Sequence, residues 1–129
     1  MKFQFLSPKF HGLLDYAAAG GLIVLPFLLN LGADSALALW FSVAAGFGLI
    51  GYSLLTDYTF SAASVFSYNT HLALDLAAAG AFVAAPFLFG FGALATGYYI
   101  VMALGVIAVV AVSDRPKAEA EADAQPERA

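Results

Sequence analysis

Cysteine is absent from the 129 residues, which excludes disulfides, thiolate metal sites and thiol catalysis. Charge is scarce as well: Asp, Glu, Lys and Arg make up 11% of the chain, against about 25% in an average soluble domain. Between Phe10 and Val112 the only charged side chains are Asp15, Asp34, Asp57 and Asp75. No basic residue falls in that stretch, so no cationic patch suited to nucleic acid can form. No nucleophile sits beside an activating base and no phosphate-binding loop is present. An enzyme is not the leading expectation, a metal-dependent membrane enzyme being the third and weakest reading, and no cofactor is called for.

What fills the chain instead is apolar. Hydrophobic residues account for 62%, with 12 Phe and 6 Tyr, and the mean hydropathy is +0.86. A soluble domain of this size has too much surface for its volume to hide so many apolar side chains. A bilayer can solvate them, and it takes about 20 apolar helical residues to cross one. Four stretches qualify: Phe10–Leu31, Ala36–Leu55, His71–Phe91 and Leu94–Val112. Turn-forming residues separate them at 31–35, 56–70 and 90–92. Ser7 is placed to cap the first helix, with Pro8 at its first position. His11 and Asp15 interrupt the first apolar run, which continues past Ala19, and this argues against a cleaved leader.

An even number of spans puts both termini and the central loop on one side. All five Lys and Arg fall on that side, which by the positive-inside rule is the cytoplasm of a plasma-membrane protein. Tyr52, Tyr58 and Tyr68 are expected at one membrane interface, and Trp40, Tyr98 and Tyr99 at the other. Residues 113–129 are polar, Ala-rich and proline-bounded, and read as a disordered cytoplasmic tail.

The chain also matches itself. Residues 11–32 (HGLLDYAAAGGLIVLPFLLNLG) and 71–92 (HLALDLAAAGAFVAAPFLFGFG) agree at 11 of 22 positions without a gap. His, Asp, Gly and Pro all fall in register, which two generic apolar helices would not share. Thr56-Asp57 and Ser113-Asp114 close the two copies at an offset of 57. The expected fold is therefore all-α: an integral membrane four-helix bundle of two tandem, parallel-oriented helical-hairpin repeats. Its parts are an N-terminal segment at 1–9, repeat 1 at 10–57, a connecting loop at 58–70, repeat 2 at 71–112, and the tail.

His11 and Asp15 share a helical face, as do His71 and Asp75. Ala18, Leu22 and Pro26 continue that face, mirrored by Ala78, Phe82 and Pro86. Ionisable groups within a span are expensive and are candidate functional sites. Three readings apply: each Asp accepts a hydrogen bond from the His one turn away, as interhelical glue; the four groups carry protons or ions; or they form a shared two-His, two-Asp metal site, for which imidazole and carboxylate are suitable donors. The spacing permits metal ligation without specifying it. Pro26 and Pro86 lie late in their spans, where proline kinks or ends a helix. The small-residue pairs Ala17/Gly21, Ala77/Ala81 and Ala44/Gly48 are expected to let helices approach closely.

The repeated block, His-x-x-Leu-Asp followed by small residues and Pro-Phe-Leu-x-x-x-Gly, resembles the SPW-repeat family of small prokaryotic membrane proteins. The resemblance spans residues 11 to 112. The family's Ser-Pro-Trp signature is replaced here by Leu25-Pro26-Phe27 and Ala85-Pro86-Phe87. It implies a helical-hairpin architecture and carries no catalytic residue with it. A small multi-pass protein with a structural or interaction role, partnered by the bilayer and by a second copy or another membrane protein, is the leading expectation. The alternative is a small proton or cation transporter using His11, Asp15, His71 and Asp75.

Overall fold

The computed structural model describes residues 4–56 and 62–114. Asp57, Tyr58 and all but the first two residues of the expected tail lie outside the described residues. The chain forms α1 (Pro8–Leu28), a single turn α2 (Leu31–Asp34), α3 (Ala36–Leu54), α4 (Tyr68–Phe89) and α5 (Ala93–Val112). The four longer helices are each long and apolar enough to cross a membrane. α1 packs along α3 and α4 along α5, giving two helical hairpins.

Local chemistry sets the ends. Ser7 and Ser67 hold extended backbone, and their hydroxyls accept from Phe10 N–H at 3.4 Å and Thr70 N–H at 3.1 Å. Ser67 starts α4 at Tyr68, three residues earlier than expected, so the 58–70 loop is shorter than its sequence suggests. At the far end, Asn30 (φ 54°) and Gly90 (φ 65°) turn left-handed and terminate the first helix of each hairpin. α1 thus ends at Leu28 rather than Leu31, and residues 31–34 wind into α2 instead of an open turn. The Asp34 carboxylate accepts from Gly92 N–H at 3.0 Å, tying α2 to the start of α5.

Pro26 and Pro86 are buried within their helices, near the end of each. Proline lacks the N–H that would bond the carbonyl four residues back, here Leu22 O for Pro26. The Ser42 hydroxyl on α3 donates to that carbonyl at 2.8 Å. Because its one hydrogen is used there, Ser42 Oγ accepts from Tyr98 O–H at 2.7 Å. Tyr99 O–H donates to Ala38 O at 2.7 Å. Tyr98 and Tyr99 are therefore buried ties from α5 to α3, not interfacial anchors, and Tyr68 is buried too. Each phenol has more to gain from an inward partner than from water because its ring also packs on the core: Tyr99 stacks on Phe82 with centroids 4.5 Å apart. Trp40 keeps an outward position.

The close approach of α1 and α3 occurs at Gly46. A Cβ there would stand 2.9 Å from Ala19 O and 2.7 Å from Ile23 Cγ1. The expected small pairs do other things: Ala77 and Ala81 face outward, while Ala17, Gly21 and Gly48 line a cavity. Burial is inverted relative to a soluble protein. His11 and His71 are fully buried, whereas Leu28, Phe87, Leu88 and Val101 are each at least 67% exposed.

Candidate functional site

α1 and α4 bring His11, Asp15, His71 and Asp75 into one buried cluster. The sequence expectation pairs each His with the Asp of its own helix. Those contacts exist, His11 Nε2 to Asp15 Oδ1 at 3.2 Å and His71 Nε2 to Asp75 Oδ2 at 3.4 Å. The contacts across the helices are shorter: His11 Nε2 lies 3.0 Å from Asp75 Oδ2, and His71 Nε2 lies 2.7 Å from Asp15 Oδ2. The two pairs are thus a single quartet, and its tightest links run between the hairpins.

The outer nitrogens of both rings are held alike. His11 Nδ1 lies 2.6 Å from Ser113 Oγ, and His71 Nδ1 lies 2.8 Å from Thr56 Oγ1. Each hydroxyl donates its hydrogen to the carbonyl one turn back, Ser113 to Val109 O at 2.6 Å and Thr56 to Tyr52 O at 2.5 Å. Each must therefore accept from its histidine, which puts a proton on both Nδ1 atoms. Both Nε2 atoms then face the carboxylates. As neutral rings they would present lone pairs to carboxylate oxygens, so protons on the rings or on the carboxyl groups, or a shared cation, must lie between them. Two carboxylates buried without either would carry a large desolvation cost.

Tyr52 O–H donates to Asp75 Oδ1 at 2.6 Å and leaves Oδ2 to the histidines. The Tyr52 ring lies 4.8 Å from that of His71, and Tyr68 meets His11 edge-on at 5.5 Å. The site is roofed by short pairings that close on opposite hairpins. Leu6 N–H bonds Val112 O at 2.9 Å and Asp114 N–H bonds Leu6 O at 2.6 Å, while Val65 and Phe66 N–H both bond Leu55 O at 2.8 Å. On the other side a cavity of about 640 Å³ reaches Asp15, Asp75 and Tyr52, with walls otherwise made of Ala, Gly and larger apolar side chains.

Sequence reasoning did not identify Ser113, Thr56 or Tyr52 as parts of the site. The signal for the first two was present: Thr56-Asp57 and Ser113-Asp114 close the two matching segments, at an offset of 57. Nothing in the sequence distinguishes Tyr52 from an interfacial tyrosine. Pro26 and Pro86 lie outside the cluster, toward the opposite end of their helices. No family model matches the chain, and no curated protein or solved structure matches it either.

Proposed function

We propose that this chain is a small multi-pass plasma-membrane protein with a non-enzymatic, structural or interaction role, in which the His–Asp quartet clamps two hairpin repeats together. The observation that carries the reading is the inverted burial: ionisable groups inside, large apolar side chains outside. Water would penalise such a surface, and lipid would not. The parallel two-repeat arrangement is supported by contacts that recur at matching sequence positions. His11 with Ser113 corresponds to His71 with Thr56, and the bridge of Leu6 to Ser113 corresponds to that of Phe66 to Thr56. In each case a first helix, or the residues just before it, meets the end of the other copy's second helix, as a twofold axis along the membrane normal would require. The clustering of Lys and Arg at the chain ends supports cytoplasmic termini. Membership of the SPW-repeat family rests on the repeated motif.

A second reading, a proton or cation transporter, draws support from the cavity that reaches both carboxylates. Its apolar walls speak against a hydrated ion path, since a cation leaving the quartet would find few oxygens to replace water. Flux into proteoliposomes separates the two. The clamp reading predicts no proton or cation flux above that of empty vesicles. Flux that Asp15→Asn with Asp75→Asn abolishes would transfer the role to transport.

A further inference from the structure

The geometry points to the quartet as a binding site for one divalent transition-metal ion of the zinc class, held by His11 Nε2, His71 Nε2, Asp15 and Asp75. The inference rests on the reading of the quartet as the junction of the hairpins and deepens it, because the ion would be the staple. Four separate observations converge on it.

The donor set is the first. Two imidazole nitrogens and two carboxylate oxygens suit zinc and its neighbours, whereas calcium or magnesium would require an all-oxygen shell. The second is size. All four ligand atoms lie within 4.8 Å of one another. A tetrahedral ion with bonds of about 2.0–2.2 Å separates its ligands by about 3.3–3.6 Å. The His–Asp distances run from 2.7 to 3.4 Å, so to admit the ion the shortest must open by about 0.6–0.9 Å while the most widely separated ligand atoms draw together.

The third is the support behind the ligands. Metal-binding histidines donate their other N–H to an oxygen that fixes the ring and tautomer. Ser113 and Thr56 do this for both rings, and Tyr52 holds the outer oxygen of Asp75. The same bonds would hold the rings for a metal ion, with both Nε2 atoms left to face it. The fourth is charge. One divalent cation with two carboxylates and two neutral imidazoles is neutral overall, which suits a site with both rings fully buried. Four protein ligands leave no open position, so this is a structural rather than a hydrolytic centre.

The test uses the full chain purified in detergent, stripped with chelator and then given zinc sulfate, cobalt chloride or manganese chloride. We expect one zinc per chain after gel filtration, the intense visible bands of tetrahedral cobalt, and a higher melting temperature with zinc than with chelator. Asp15→Asn with Asp75→Asn should abolish all three. Should that variant fail to fold, Ser113→Ala with Thr56→Val keeps every ligand and is expected to bind zinc 10–100-fold more weakly. Wild-type protein that retains no stoichiometric metal, zinc that survives the double Asp substitution, or unweakened binding in Ser113→Ala with Thr56→Val would each overturn the assignment. If metal is not retained but His71 and Asp15 remain energetically coupled in chelator, the metal assignment fails and the clamp reading stands.

Discussion

Ser42 illustrates how much a single hydroxyl can decide in an apolar bundle. Pro26 withdraws the N–H that Leu22 O would accept, and Leu22 is buried in the core. Ser42 supplies the missing donor and in turn accepts from Tyr98, so a defect in α1 is repaired by α3 and extended to α5. Ser42→Ala should therefore lower stability by about 1–3 kcal/mol, the cost of stranding buried polar groups. In a Pro26→Ala background, which restores the N–H, the same substitution should cost clearly less. Equal costs in both backgrounds, read from unfolding in detergent, would show that Ser42 does not serve the proline. At this scale the sequence was legible for His11, Asp15, His71 and Asp75, because an ionisable group in an apolar run has few uses. Ser42 and Tyr98 could not be singled out, because a hydroxyl in an apolar helix is common and its partner lies 20 to 56 residues away.

At the scale of elements, the four long apolar helices follow from hydropathy alone, and their ends shift by only a few residues where Ser67 and Asn30 act. The choice of contact faces was harder to read. Small residues are so frequent here that the pattern does not say which of them meet a partner. Gly46 does: its Cα faces the Ala19 carbonyl and Ile23, and backbone cannot move aside as a flexible side chain could. Gly46→Ala is expected to destabilise the α1–α3 hairpin by about 1–3 kcal/mol through overpacking. Gly48 has nothing within 4 Å of an added Cβ. Gly48→Ala, which also gains about 1 kcal/mol of helix propensity, should be neutral or stabilising. Melting temperatures of the two variants check the pair, and a reversed order would move the helix crossing away from Gly46.

At the scale of the whole molecule, the two hairpins meet through polar contacts at both ends and across a cavity between them. Tyr98 and Tyr99 join α5 to α3 toward one end; the quartet with Ser113 and Thr56 joins α1 and α4 to the opposite hairpins at the other. This cross-linking explains why the quartet is better understood as one unit than as two intrahelical pairs. The self-match at an offset of 60 makes two His–Asp pairs at matching positions legible, but their merger depends on how closely the hairpins approach, which no one-dimensional pattern encodes.

The measurement that bears most directly on the clamp is a double-mutant cycle on His71→Gln and Asp15→Asn, read by unfolding of the full chain in chelator-treated detergent. The two residues belong to different hairpins and stand 2.7 Å apart. A coupling of about 0.5–3 kcal/mol is predicted, as for groups that share one buried network. Losses that simply add, to within about 0.3–0.5 kcal/mol, would mean that His71 and Asp15 do not hold the hairpins together, and would contradict the account.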